Sequence, residues 1–262
     1  MPRALALMGK SHTMAHQQNL ILSRLSNADF RLLEPYLEPV DLPIRKVLER
    51  RGKPIKAVYF PETGFASVVA NGDTRPIEVG LIGREGMTGL PVVLGGDRNE
   101  HEMFMQAAGH GHCLRSQDVR EAMAKSRSLQ ASFLRYVQAF LSQTAQTAVA
   151  NGRSKVEERL ARWLLMADDR IDSDELPLTH EFLAMMLAVR RPGVTVAIQE
   201  LERQGVISRK RGRIVLVDRK ALETMSNGTY APPGPITISR REHAKAPTRG
   251  GPAECTRLEP RE

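Results

Sequence analysis

Two patterns of apolar residues divide the chain. Between residues 40 and 115 they come in short runs broken by glycine, proline or asparagine. Val58-Tyr59-Phe60 stops at Pro61, and Phe65–Ala70 is followed by Asn71-Gly72-Asp73, a strong hairpin signal. Ile77–Ile82 runs into Gly83-Arg84-Glu85-Gly86, and Pro91–Leu94 into Gly95-Gly96; Met103–Ala107 and His112–Leu114 follow. Short strands with glycine-rich turns predict an antiparallel barrel or jelly roll. Ahead of it, Leu22, Leu25, Phe30, Leu33 and Leu37 recur at helical spacing within Asn19–Leu37, with Ser26 or Asn27 as a cap.

After Arg115 the period changes. Asp118–Lys125 reads as a short helix. Leu129, Phe133, Val137, Phe140, Thr144, Thr147 and Asn151 then follow at spacings of 4, 4, 3, 4, 3 and 4 without an intervening proline or glycine. That is one long amphipathic helix whose stripe approximates a coiled-coil seam. The expectation is a homodimer, with Phe133, Val137, Phe140 and Thr144 at its interface. A further helix spans Lys155–Ala167, with Val156, Leu160, Trp163, Leu164 and Ala167 on one side, and an acidic loop, Asp172–Glu175, follows.

Residues 178–217 carry the chemistry. Thr179 is placed to cap a short apolar helix. Pro192 suits the first turn of the next helix, where its missing N–H costs nothing; Val194, Ile198 and Leu201 form that helix's apolar stripe. Val206-Ile207 and Ile214–Val217 then bracket Arg209-Lys210-Arg211-Gly212-Arg213 as two strands. Helix, tight turn, helix and basic hairpin make a winged helix-turn-helix.

Charge sharpens this reading. The chain has a formal net charge of +8, and residues 189–220 hold nine basic residues against Glu200, Glu202 and Asp218. Arg190 and Arg191 sit at the positive end of a helix, an unfavourable place for cations unless an anion meets them. Phosphates or guanine edges are such partners. Thr195 and Gln199 share the solvent face and reach toward base edges, while Lys210, Arg211 and Arg213 suit backbone phosphates. The partner expected is double-stranded DNA.

The order of parts resembles the Crp/Fnr family of transcription regulators, relatives of the cyclic-AMP receptor protein. The resemblance spans about residues 19–222 and is sharpest in Val156–Leu165 and Leu178–Ser208; the roll matches through its layout and Gly83–Gly89. It implies an α+β protein with an N-terminal antiparallel β-roll of cyclic-nucleotide-binding type, a long dimerisation helix and a C-terminal winged helix-turn-helix. The expected divisions are a flexible leader at 1–18, the roll at 19–125, the dimerisation helix at 126–152, the DNA-binding domain at 153–222 and a disordered tail at 223–262, where proline and glycine are frequent. Translation starts at Met1 or Met14.

By this resemblance Arg190, Arg191 and Thr195 touch the major groove, and Thr179 and His180 meet a phosphate. Val196 stands where an arginine is usual, and Pro192 and Gly193 replace polar residues, so no operator sequence carries over. Gly89, Leu90, His101, Glu102 and Thr144 fall on the family's effector pocket. Glu102 would repel a cyclic phosphate, so cyclic AMP is not the expected effector. A homodimer on a palindromic operator, non-enzymatic and cytoplasmic, is implied, with RNA polymerase as a contact where the protein activates. No window approaches the ~20 apolar residues that cross a bilayer, and no cofactor is expected. Another class of function remains: a β-barrel metal or small-molecule enzyme whose helices only oligomerise it, suggested by His110, His112 and Cys113. A strand places the two histidines on one face and Cys113 on the other, without a following carboxylate to complete a metal set.

Overall fold

The computed structural model describes residues 18–71, 76–173 and 175–232. The chain enters through a 3-10 turn at Leu22–Arg24 and helix α1 (Asn27–Leu33). Ser26 is the cap: its hydroxyl accepts from the Asp29 N–H at 3.1 Å. Strands β1 (Glu38–Leu42), β2 (Val47–Glu49), β3 (Ala57–Pro61), β4 (Phe65–Asn71) and β5 (Pro76–Ile82) precede the four-residue helix α2 (Leu90–Val93). Strands β6 (Glu102–Ala107) and β7 (Gly109–Arg115) and helix α3 (Ser116–Lys125) close the N-terminal unit.

Its seven strands pair antiparallel throughout, in two sheets ordered β1-β7-β3 and β2-β6-β4-β5. Leu42, Val58, Phe60 and Leu114 of the first sheet and Ala66, Val68, Ile82, Met103 and Met105 of the second share one core. The hairpin expected at Asn71 joins β4 to β5, although the turn at 72–75 lies outside the described residues.

Pro91–Leu94 is not the strand its apolar run predicts. Gly89 takes a left-handed conformation, φ +74°, and the chain turns into α2 with Pro91 in its first turn. Val92 and Val93 are both buried, which a helical turn against the core allows and strand alternation does not. A Cβ at Gly89 would stand 2.5 Å from Val58 Cγ2, so glycine is required twice over. Strands β1 and β2 escaped the sequence pattern. β1 is an edge strand containing Pro39, with only Leu42 buried, and β2 is three residues long.

Helix α4 (Arg127–Arg153) has 27 residues, about 40 Å at 1.5 Å per residue. Its first half packs on the roll through Leu129, Phe133, Tyr136, Val137 and Phe140. Phe133 and Phe140 therefore do not face outward as a seam. Beyond Phe140 the polar Gln143 takes over: its amide pairs with the Leu81 N–H and C=O at 2.6 and 3.2 Å. β5 is an edge strand, and this side chain satisfies backbone groups that a neighbouring strand would otherwise take.

The C-terminal unit comprises α5 (Val156–Asp168), β8 (Glu175–Pro177), α6 (His180–Met186), α7 (Arg191–Arg203), β9 (Ile207–Lys210), β10 (Arg213–Leu216) and α8 (Arg219–Met225). Its core includes Leu160, Leu164, Leu183, Val194, Ile198, Leu201, Ile214 and Leu222 and runs on into Phe65, Val69 and Leu81 from the outer face of the roll. Residues 223–232, assigned by composition to a tail, pack onto this unit. Arg162 Nε donates to the Thr229 carbonyl at 2.9 Å, and Tyr230 joins Arg219 and Asp169 at 2.6 and 2.8 Å. Residues 1–17 of the leader expected at 1–18, and 233–262 of the tail expected at 223–262, lie outside the described residues.

Candidate nucleic-acid interface

α6 begins where Thr179 accepts the Phe182 N–H at 3.2 Å, as its place before the apolar run predicts. The helix closes on Ala188, whose φ of +50° is the left-handed conformation that usually falls to glycine. The chain then reverses, with Arg190 as the N-cap residue of α7 and Pro192 in its first turn. Val194, Ala197, Ile198 and Leu201 are buried against the rest of the unit. Arg191, Pro192, Val196, Gln199 and Arg203 are exposed.

The wing is a three-stranded antiparallel sheet, β8-β10-β9. Gly212, at φ +71°, supplies its tip beside the exposed Arg211. The strand from β8 was not legible: Glu175 read as part of an acidic loop, and only Leu176 marks three residues as strand by its burial. It changes the electrostatics of the wing. Glu175 takes Lys210 Nζ at 2.5 Å on one oxygen and Arg213 Nη1 at 2.6 Å on the other. Bonds from Lys210 and Arg213 hold its carboxyl below the usual range. Arg209 pairs with Glu202 at 2.7 Å. Arg203 pairs with Glu200, whose carboxyl the Arg203 and Gln204 bonds pull down to about 2.

Among the described residues of α7 and the wing, Arg190, Arg191 and Arg211 make no ion pair, so they carry uncompensated charge there. His180 and Thr195, both expected at DNA, meet each other first. The Thr195 hydroxyl donates to the Arg191 carbonyl at 3.1 Å and lies 3.0 Å from His180 Nδ1. Gln199 is exposed one turn beyond Thr195.

The residues expected in an effector pocket come together only in part. Gly89 and Leu90 open α2, while His101 and Glu102 lead into β6 and are half-buried. Glu49, which sequence reasoning missed, links the two ends. It is 4% exposed and accepts the Gly89 N–H at 2.6 Å and the Asn99 amide at 2.7 Å; Asn99 in turn accepts the His101 N–H at 3.0 Å. Burial pushes the Glu49 carboxyl upward against these bonds. Thr144 stands apart on α4, its hydroxyl bonded to the Leu141 carbonyl at 2.8 Å.

His110 and His112 do face one way, toward Glu62 at 3.7 and 3.5 Å, with Thr63 Oγ1 3.0 Å from His110. Burial raises the Glu62 carboxyl, but His112, the Gln18 N–H and His110 outweigh it and leave it lowered. No group of three or more metal-ligating side chains is assembled among the described residues.

Residues 158–225 match the model of the Crp-like helix-turn-helix domain. Solved structures agree over a longer stretch. A Crp/Fnr-family protein of Eubacterium rectale superposes with a TM-score of 0.62 at 18% identity, covering 79% of this chain and 97% of that one. The protein has the Crp/Fnr fold. A CRP-family transcriptional regulator of Thermus thermophilus gives a TM-score of 0.61 at 19% identity over 74% of this chain and 99% of its own. FixK2 of Bradyrhizobium japonicum gives 0.62 at 16% over 72% and 96%. No curated protein sequence matches the chain. Within this Crp/Fnr fold the N-terminal unit is the β-roll, α4 the long connecting helix, and α6, α7 and the wing the helix-turn-helix domain.

Proposed function

We propose that the protein is a sequence-specific, DNA-binding transcription regulator of the Crp/Fnr type, acting in the cytoplasm as a homodimer on a palindromic operator. One observation carries the reading. The cations on the flank of α7 and the strands of the wing are neutralised by Glu175, Glu200 and Glu202, whereas Arg190 and Arg191 at the tip of α7 are exposed and unpaired among the described residues. An exposed pair of guanidiniums at a helix N-terminus opposes the macrodipole and is relieved by a polyanion. In this reading α7 enters the major groove. Thr179 and His180 approach one phosphate and Arg211 another. Lys210 and Arg213 reach phosphate by leaving Glu175.

The dimer needs a face of α4 that the roll leaves free. Phe133, Val137 and Phe140, expected there, are 0%, 4% and 7% exposed within one chain, so they hold the helix to its own roll. The free stripe is Leu134, Gln138, Leu141, Ala145, Ala148 and Gly152, at spacings of 4, 3, 4, 3 and 4. Leu134 and Leu141 are 39% and 59% exposed. This alternation is that of a parallel coiled-coil seam, narrowing toward the DNA-binding unit where small residues follow. Thr144 lies at its margin. Cyclic AMP is not the effector in this reading: Glu49 and Glu102 give the α2–β6 region negative charge that a cyclic phosphate would meet.

Selection of binding duplexes from a randomised library tests this reading. The expected product is a two-fold palindrome with half-site centres about 34 Å, or one helical turn, apart. Binding without sequence preference, or to single asymmetric sites, would overturn it.

A further inference from the structure

The exposed stripe of α7 has an unusual composition. Pro192, Val196, Gln199 and Arg203 follow one another at spacings of four, three and four and all face solvent. Arg203 is neutralised by Glu200 at 2.7 Å. Across the roughly three turns between Arg191 and Arg203 the face thus presents no net charge to attract phosphate. At its centre stands Val196, 59% exposed, whereas every other aliphatic side chain of the helix is buried. The polar group beside it is already used: Thr195 donates its hydroxyl to the Arg191 carbonyl and receives His180. Two side chains on the stripe can therefore report a base: the Val196 isopropyl group and the Gln199 amide.

We propose that Val196 is a specificity-determining residue that reads a thymine C5-methyl group in the major groove, with Gln199 one turn on reading an adjacent adenine. This rests on the DNA-binding reading above and deepens it. A methyl group is the one apolar feature of a major-groove base edge, and it suits a side chain with no hydrogen-bonding atoms. A glutamine amide pairs its donor and acceptor with adenine N7 and N6. Together they assign the half-site an A·T step at the centre of the α7 footprint, while Arg190 and Arg191 meet the flanking base edge or phosphates. Deleting the methyl group lowers affinity by about one buried methyl's worth, roughly fourfold.

The test uses the full chain and the half-site selected from a randomised duplex library. Each thymine in turn is replaced by deoxyuridine, which keeps every hydrogen bond and deletes the methyl. Dissociation constants are measured at matched salt for the parent and Val196→Ala. One deoxyuridine should weaken the parent about fourfold and Val196→Ala by clearly less, since the shorter side chain reaches less of the methyl. A selected half-site without thymine, a parent insensitive to every deoxyuridine, or an equal penalty in parent and variant would overturn the inference while DNA binding stood. Val196→Ala should keep the parent's salt-dependent affinity for a random duplex, which shows it folded. Absence of salt-dependent duplex binding in the parent would instead overturn the proposed function, and this inference with it.

Discussion

Glu78 is a carboxylate taken out of water. It lies on β5, 5% exposed, with Ser67 Oγ and Trp163 Nε1 each donating to it at 2.6 Å. Burial pushes its carboxyl up to about 7, against the bonds from Ser67 and Trp163 and the attraction of Arg162 and Arg170. Burial likewise pulls Arg162 down to about 10. A carboxyl raised in the folded state binds its proton more tightly there than in the unfolded chain, where the ordinary value is 4.5. Its contribution to stability is therefore present below about pH 4.5 and lost as pH rises to about 7. Glu78→Gln should remove that slope, stabilising the protein by roughly 1–3 kcal/mol above pH 7 and little near pH 4.5. Thermal unfolding of parent and variant at pH 5 and 8 checks this; an equal difference at both would contradict it. Ala188 carries backbone strain. Its left-handed φ of +50° costs about 1 kcal/mol for a residue with a Cβ, and the side chain is exposed. Ala188→Gly should raise stability by that order, read from denaturant midpoints, and a lower midpoint would mean the conformation is not strained.

At the scale of elements, α4 and the wing carry the consequences. If α4 pairs through its exposed stripe as proposed, Leu141→Glu converts that dimer to monomer without unfolding the chain, because Leu141 is 59% exposed and lies outside its own core. Sedimentation with circular dichroism checks it; a folded dimer would contradict it. In the wing, Glu175→Gln frees Lys210 and Arg213, so DNA binding should tighten and its logarithmic salt slope steepen by about 1–2. An unchanged slope would show that the ion pairs persist on DNA. The same elements show what was legible. The length of α4 followed from a helical repeat uninterrupted by proline or glycine, and the Thr179 cap and Pro192 first turn from local backbone chemistry. Which face of α4 turns inward was not legible, because Phe133 and Phe140 suit a seam and a core equally. Their burial depends on where the roll lies. β8 and the Glu175 pairs were hidden for a similar reason: three residues set no periodicity, and their partners lie 35 and 38 positions away.

Across the whole molecule, the roll and the C-terminal unit share a boundary rather than a tether. Trp163 of α5 bonds Glu78 of β5 and stacks edge-on between Phe65 of the roll and Phe182 of α6, with ring centroids 6.3 and 5.8 Å apart. Arg170, 2% exposed, pairs with Glu85 at 2.7 Å. Arg162 reaches Thr147 on the long helix and Thr229 in the C-terminal segment. The apolar part of this joint was partly readable as an amphipathic helix around Trp163. Its polar part was not, since Glu78 sits in a strand that alternation alone would leave half in water. The account as a whole stands on the two guanidiniums at the tip of α7, and equilibrium binding of the selected palindromic duplex by the parent and by the Arg190→Ala, Arg191→Ala double variant, at matched salt, tests it most directly. Affinity should fall by about 1–3 kcal/mol for each base edge left without its guanidinium, with discrimination against random duplex reduced. Equal affinity and equal discrimination in the two proteins would contradict it.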